Sequence, residues 1–420
     1  LPISGVANGY PTFRNAKCGL ECLDGYQLVG SACQLTFSAK SAVSFNGMTY
    51  SASLSWKTMV PTTTRIRYRA VRFSPMSPLQ QVGADPWTEA ITGPNLTTDH
   101  IAAMTDLYPV ADYEYQIGGT TSDGATHYDS GMSFETAAGF YDVGVISYRD
   151  DPTVYASCPG QKDLVHIFLD NEDDNNKNNR SGWLGGIGST RNTMLPFCRI
   201  NGQKLKPLTT ALNTAYEYAV LSLSSTCPSG SVSFYRHFDT EDSNNYSEVR
   251  SDSTRTTGAN YSNWEALALP SFRDSSKNVR VVFCMFRSSA APMANFPDLS
   301  QPYGVFAPAD FARAIEKGWI YTDDEDASTG NGYGSPFPAE SQRMVTTGNN
   351  TYLYTAQVTC GPGSVGSAGQ SCGSCGGRTT CSGACSVATP SNLGAACGCG
   401  GIILCGGACS EPGAIGGYCP

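Results

Sequence analysis

The chain repeats one short acidic pattern three times, and this repetition limits what it can fold into. The pattern D-x-E-D occurs in "LDNEDDNN", "FDTEDSNN" and "TDDEDAST", each after a strand-like run: "VHIFL", "FYRHF" and "GWIYT". The carboxylates of the three copies are Asp170, Glu172, Asp173, Asp239, Glu241, Asp242, Asp323, Glu325 and Asp326. Internal repetition predicts a domain that is assembled from similar units.

Two further elements recur with the acidic pattern. The strings "NTMLPFC", "NVRVVFC" and "NTYLYTA" begin at Asn192, Asn278 and Asn350. A shorter element follows the first two copies, at Tyr218 and Tyr303, and is missing after the third, whereas the similar string "YDVGVIS" precedes the first copy. We therefore predict a closed pseudo-three-fold β domain, trefoil-like or prism-like, in which this first strand completes the last copy.

Cysteine positions test this alignment independently. Cys158 and Cys227 each lie 12 residues before their acidic pattern, and Cys198 and Cys284 each end the second element. The third copy lacks both cysteines. Bridges within a copy therefore leave no cysteine of the first two copies without a partner. The sequence therefore favours bridges between Cys158 and Cys198 and between Cys227 and Cys284 over a bridge from Cys198 to Cys227.

The acidic pattern is compatible with three interpretations. In an extended chain Asp170 and Glu172 share one face and Asp173 lies on the other. Carboxylates with neighbouring Asn carbonyls suit Ca²⁺, which takes six to eight oxygen ligands. The alternatives are a structural hydrogen-bond network, or a solvated loop in which Asp and Asn side chains bond their own backbone. All nine carboxylates are candidate calcium ligands.

Catalysis is not expected of this chain. An active site is normally single, whereas the carboxylates come in three similar sets. His166 and His237 lie in strand-like runs and are predicted to pack rather than to bind a metal. Trp183, Trp264 and Trp319 do not align between copies, and we interpret them as core residues rather than as platforms for sugar rings.

Residues 35–137 carry a more specific pattern. "SASLSWKT" and "TRIRYRAV" alternate as strands do, and "LYPVADYEYQI" places Pro109, Tyr113 and Tyr115 in the spacing L-x-P-x-x-x-Y-x-Y. This segment resembles the fibronectin type III family, in which such a stretch forms the tyrosine corner of a β-sandwich. The resemblance implies a spacer domain.

Both ends of the chain are rich in cysteine. In residues 1–34, "CGLECLDGYQLVGSAC" resembles the closing part of an epidermal-growth-factor-like module. Residues 360–420 contain a tandem repeat too poor in apolar residues to fold by burial, so we predict disulfides in preference to zinc. The cysteines of its two quartets are Cys372, Cys375, Cys381, Cys385, Cys397, Cys399, Cys405 and Cys409.

Composition limits the class of protein. A net charge of -9 argues against nucleic-acid binding, and no apolar run is long enough for a membrane span. The 17 cysteines indicate an oxidising compartment, and Leu1 in place of Met suggests a processed chain. We expect a secreted, mainly β protein with a fibronectin-type β-sandwich, a three-copy β domain at 138–359 and a disulfide-rich tail.

Three functions remain in order of preference. The first is an extracellular structural or adhesive protein that assembles with copies of itself, as the subunit of a surface fibre. The second is a calcium-dependent module that binds glycans or other surface proteins. The third is a secreted hydrolase. Cys18, Cys22, Cys33, Cys360 and Cys419 remain after the pairs above, and an odd number cannot all pair within one chain.

Overall fold

Strands dominate the chain, as the sequence predicts for a mainly β protein. The computed structural model describes residues 9–14, 17–29, 32–73, 81–147, 164–172, 175–241, 246–251, 272–273, 279–297, 299, 303–324, 332–333 and 339–358. These residues form two compact units, which lie before and after the bond between Gly139 and Phe140.

The first unit consists of short and long antiparallel strands. They are β1 (Gly9–Arg14), β2 (Lys17–Cys22), β3 (Tyr26–Val29), β4 (Ala32–Leu35), β5 (Phe37–Ser38), β6 (Ser44–Asn46), β7 (Ser51–Phe73), β8 (Gln81–Ala84), β9 (Thr88–Met104), β10 (Asp112–Thr120), β11 (Thr126–Tyr128) and β12 (Met132–Glu135). A disulfide joins Cys22 at the end of β2 to Cys33 in β4.

The long strand β7 organises this unit. It pairs with β9 along both of its halves, with β6 at its start and with β10 near its end. The alternating residues Leu54 and Trp56 in the first half, and Ile66 and Tyr68 in the second, are all buried in one apolar cluster. The period-two pattern in the sequence therefore places the core correctly.

A tyrosine fixes the loop before β10. The hydroxyl of Tyr113 accepts a hydrogen bond from the backbone N–H of Tyr108 at 2.8 Å, and Tyr113 is 3% exposed. A buried Tyr that bonds the backbone a few residues upstream also occurs in the tyrosine corner of β-sandwiches. Burial raises the pKa of this phenol far above its usual range.

The second unit contains the acidic pattern. Its strands are β13 (Asp142–Ile146), β14 (Leu164–Leu169), β15 (Asn179–Gly182), β16 (Gly188–Ser189), β17 (Thr193–Asn201), β18 (Tyr218–Ser222), β19 (Ser231–Phe238), β20 (Glu248–Ser251), β21 (Phe272–Arg273), β22 (Val279–Phe286), β23 (Gly304–Phe306), β24 (Ala314–Thr322), β25 (Gly332–Tyr333) and β26 (Thr351–Val358). Short 3-10 helices lie at Gly202–Lys204, Thr214–Tyr216 and Ala339–Arg343.

Three short strands meet at the centre of this unit. β13 pairs with β18, β18 pairs with β23, and β23 pairs with β13, all antiparallel. Each also pairs with one long strand: β13 with β17, β18 with β22, and β23 with β26. The pairing is therefore cyclic, and the three short strands divide the 14 paired strands of this unit into three parts, which we call sheets.

Each long strand forms a pair with the strand that precedes an acidic stretch. β14 pairs with β17, β19 with β22, and β24 with β26. Alternate residues of these strands turn inward, so that Val165, Ile167, Phe234, Ile320 and Leu353 share one buried cluster. We number the sheets by the copy that supplies these pairs: the first contains β14 and β17, the second β19 and β22, and the third β24 and β26.

Every sheet receives its fourth strand from a different copy. β20 of the second copy pairs with β14, β25 of the third with β19, and β15 of the first with β24. The register is the same each time, because Glu248 faces Phe168, Gly332 faces His237 and Asn179 faces Tyr321. We call β15, β20 and β25 the donated strands.

One detail of the expected closure is wrong. The sequence suggests that the strand at Tyr141 completes the last copy, but β13 pairs with β17 of the first copy instead. The three short strands resemble one another in sequence, and this similarity shows only that they are equivalent. It carries no information about which long strand each of them pairs with.

Candidate functional site

The first Asp of the acidic pattern binds the backbone of another copy. Asp170 follows β14 directly and is 5% exposed. Its N–H donates to Ser247 Oγ at 2.9 Å, and its Oδ2 accepts from the N–H of Tyr246 at 2.8 Å. Both partners immediately precede β20, so Asp170 of the first copy holds the start of a strand that the second copy donates. We call this contact the Asp170 seam.

Asp323 makes the same contact with the first copy. It is 1% exposed, its N–H donates to Asn178 Oδ1 at 2.6 Å, and its Oδ2 accepts from the N–H of Lys177 at 2.5 Å. These partners immediately precede β15, as the partners of Asp170 precede β20. We call this contact the Asp323 seam.

Backbone hydrogen bonds reinforce both seams. The N–H of Glu241 donates to the Asp170 carbonyl at 2.8 Å, and the N–H of Glu172 donates to the Asp323 carbonyl at 3.1 Å. Asp239, the first Asp of the remaining copy, is also buried, at 1% exposure. The arrangement corresponds to the structural-network interpretation, and the solvated-loop alternative is wrong for Asp170 and Asp323.

The residue after the first Asp lies deeper still. Asn171, Thr240 and Asp324 are each 0% exposed. Asp324 accepts hydrogen bonds from Thr322 and Thr351, and the Arg236 guanidinium lies 3.7 Å away. Burial raises the pKa of Asp324 to about 7, and the charge of Arg236 opposes that rise.

The calcium hypothesis stays a prediction. Of the nine candidate ligands, Asp173, Asp242, Glu325 and Asp326 lie outside the described residues. Within the described ranges, no group of three or more His, Cys, Asp or Glu side chains is placed to hold a metal ion. Glu172 is half-buried and Glu241 is 8% exposed.

The outer face of the third sheet carries four aromatic side chains. Trp319 and Tyr321 alternate with buried Ile320 on β24, and Tyr352 and Tyr354 alternate with buried Leu353 on β26. Ring centroids are 4.7 Å apart for Tyr321 and Tyr352, 5.5 Å for Trp319 and Tyr352, and 5.9 Å for Tyr352 and Tyr354. All four are half-buried, and we call this set the aromatic grid.

The donated strand β15 adds two polar side chains beside the grid. Asn179 pairs with Tyr321, and Ser181 pairs with Trp319. Directly opposed residues of antiparallel strands project from the same face, so the amide and the hydroxyl lie next to the rings. Both residues are exposed. We call Asn179 and Ser181 the polar edge.

The equivalent faces of the other sheets have different chemistry. Side chains at the matching positions of the first sheet are His166, Phe168, Met194 and Pro196, and those of the second sheet are Tyr235, His237, Arg280 and Val282. In the second sheet the Arg280 guanidinium lies 4.0 Å from the centre of the Tyr235 ring. A grid of four aromatic residues is therefore particular to the third sheet among these three faces.

The tryptophans only partly follow the expectation that they lie in the core. Trp183 packs against the core cluster of the second unit and is partly buried. Trp319 is not a core residue, because β24 turns it to the outer face. Trp264 lies outside the described residues. The aromatic grid was missed, although its signal is in the sequence: "WIY" and "YLY" alternate aromatic and aliphatic residues on two paired strands.

The disulfides of the second unit involve three described cysteines. A bridge joins Cys227 to Cys284, the pair that the sequence favours within the second copy. Cys198 is also disulfide-bonded, and its expected partner Cys158 lies outside the described residues. A bridge between Cys198 and Cys227 is therefore excluded. The eight cysteines of the tail quartets also lie outside the described ranges.

A family model matches part of the chain. Residues 133–280 are similar to the family described as Bacterial ApeC. The matched segment includes the acidic stretches at Asp170 and Asp239 and ends before the third stretch. No curated protein matches the chain. In the part of the chain that the structure describes, no helix is long and apolar enough to cross a membrane.

Proposed function

We propose that this chain is an exported bacterial surface protein whose second unit binds neutral glycans on the outer face of its third sheet. The aromatic grid carries the proposal. Four half-buried rings on two neighbouring strands, with an amide and a hydroxyl on the third, form a surface that is partly apolar and partly polar.

The chemistry of a sugar ring matches such a surface. A pyranose presents C–H groups on its faces and hydroxyls around its rim, so it gains both from contact with aromatic rings and from hydrogen bonds with amide and hydroxyl groups. None of the six side chains of the grid and the polar edge is charged near neutral pH. The net charge of -9 also disfavours acidic polymers. These features support an uncharged ligand.

An extracellular location fits the covalent chemistry. Disulfides persist in oxidising compartments, and bridges occur in both units. The match to Bacterial ApeC supports the assignment to a bacterium.

The first unit is proposed to include a fibronectin type III-like spacer. The hydrogen bond between Tyr113 and Tyr108, and the buried alternation along β7, support that resemblance. The second unit is proposed to be a triplicated repeat, which the cyclic pairing and the common register of the donated strands support. Assembly into a surface fibre stays a prediction, which light scattering of the intact, never-reduced chain would test.

Binding of polysaccharides tests the glycan proposal. We expect at least one of cellulose, chitin and mannan to retain the protein, and the acidic polymer polygalacturonate not to retain it. Trp319→Ala should weaken retention at least about tenfold, since it removes the largest ring of the grid. Tyr235→Ala is the matched control, because Tyr235 occupies the equivalent position of the second sheet. Retention by none of the three neutral polymers, or equal binding by both variants, would refute the proposal.

A further inference from the structure

We infer that Asp323 is a positioning residue for the glycan site: it holds the donated strand β15 so that the polar edge lies beside the aromatic grid. The inference rests on the proposed function of the third sheet. It gives the acidic pattern a role in binding that requires no metal ion. It also makes the site a composite, because the rings come from the third copy and the polar edge comes from the first.

The contacts of Asp323 place it at the entry to β15. Its Oδ2 accepts from the N–H of Lys177, and its N–H donates to Asn178 Oδ1. The next residue, Asn179, is the first of β15 and already belongs to the polar edge. A carboxylate that accepts a backbone N–H makes a stronger bond than a neutral group does. Asp323 therefore fixes the chain one residue before the first ligand-facing side chain.

The strand β15 depends on such anchors. It has four residues, all of them exposed, and it pairs only with β24 among the described strands. At its far end, the N–H of Trp183 donates to the Lys317 carbonyl at 2.8 Å. The Trp183 ring lies against Gly304, where a side chain of any size would collide with it. The contacts of Trp183 thus hold the far end of β15, and Asp323 holds its near end.

The Asp170 seam supplies a matched control in the same chain. Asp170 makes the same pair of hydrogen bonds, but the strand that it holds, β20, completes the first sheet. The outer face of the first sheet lacks the aromatic grid. Loss of either carboxylate should lower stability by a similar amount, whereas only loss of Asp323 should disturb the glycan site.

The experiment compares Asp323→Ala with Asp170→Ala in the full chain. Affinity is measured on whichever of cellulose, chitin and mannan retains the unaltered protein most strongly, at a temperature where circular dichroism shows both variants to be folded. We expect Asp323→Ala to bind about tenfold more weakly, the scale of one or two lost hydrogen bonds, and Asp170→Ala to bind normally. Asp323→Asn keeps an oxygen acceptor for Lys177 and should recover part of the affinity.

The outcomes separate the inference from the proposed function. If Trp319→Ala abolishes binding while Asp323→Ala and Asp170→Ala change affinity equally, the positioning role is refuted and the glycan site stands. If Trp319→Ala leaves binding unchanged, the glycan site itself is refuted. Should both Ala variants fail to fold, Asp323→Asn and Asp170→Asn repeat the comparison, because each replaces the carboxylate by a neutral acceptor at one seam only.

Discussion

The buried pair Arg236–Asp324 should be replaceable as a unit but not one residue at a time. Arg236 lies three residues before the first Asp of the second copy, where the other two copies have Ile167 and Ile320. Asp324 follows the first Asp of the third copy, where the first copy has Asn171. The double variant Arg236→Ile/Asp324→Asn therefore gives this junction the residues found at the equivalent positions Ile320 and Asn171.

The expected magnitudes follow from complete burial. Both side chains are 0% exposed, so at a pH well above 7, where Asp324 is ionised, Arg236→Ile removes the cation beside this carboxylate and should cost roughly 3–5 kcal/mol. Asp324→Asn removes the carboxylate 3.7 Å from the Arg236 guanidinium and should cost about 3 kcal/mol. The double variant removes both charges and loses the Arg236 bonds to the Gly348 carbonyl and to Thr351 Oγ1, each worth about 1 kcal/mol. We expect it to be no more than about 2 kcal/mol less stable than the unaltered chain.

Urea unfolding of the unaltered chain, the two single variants and the double variant measures the coupling free energy between Arg236 and Asp324. Hydrogen exchange in peptides of β22 and β26 assigns the loss of stability to the second unit. Additive costs, with the double variant about 7 kcal/mol less stable, would refute the reasoning.

The pH dependence of the free energy of unfolding gives a second measure of the burial of Asp324. Because burial raises the pKa of Asp324 to about 7, its contribution to stability is full below its unfolded pKa and is lost as the pH rises through 7. Asp324→Asn should remove that slope.

Three further predictions concern other parts of the chain. Burial lowers the pKa of His100, so the first unit should lose stability as the pH falls below about 6.5, and His100→Gln should flatten this dependence in urea titrations at several pH values. Replacing Cys227 and Cys284 by Ala opens a loop with a sequence separation of 57 residues, so calorimetry should show a loss of about 4 kcal/mol in the second unit. Tyr113→Phe leaves the N–H of Tyr108 without its acceptor and should cost about 1–3 kcal/mol by urea unfolding, and an unchanged midpoint would contradict the tyrosine-corner interpretation.

Local sequence patterns located many of the longer strands but not their long-range partners. Alternation identified the buried faces of β7, because a period of two depends only on the residues of one strand. The pairing of β13 with β17 could not be read in the same way. Each short strand can pair with several neighbours, and the choice depends on the geometry of the closed unit.

The donated strands were missed for a related reason. β15 has the sequence "NRSG", without an apolar alternation, and all four of its residues are exposed. Nothing in such a segment predicts a strand. Its position depends on contacts with residues more than 130 positions away, at the Asp323 seam. The sequence therefore shows that the first Asp is retained in every copy, but not what this Asp binds.

Retention and variation between the copies have different physical meanings. At each described seam, a strand leaves one copy and joins another, and the N–H groups at this crossing lie outside the regular ladder. A buried N–H without an acceptor is costly, so every crossing needs a side chain such as Asp to accept it. The two described seams share this requirement, and it accounts for Asp170 and Asp323 without an ion. The outer faces have no shared requirement, and the grid of Trp319, Tyr321, Tyr352 and Tyr354 appears on the third sheet alone among the three faces compared. The repeated residues build the unit, and a function in recognition is therefore to be sought where the copies differ.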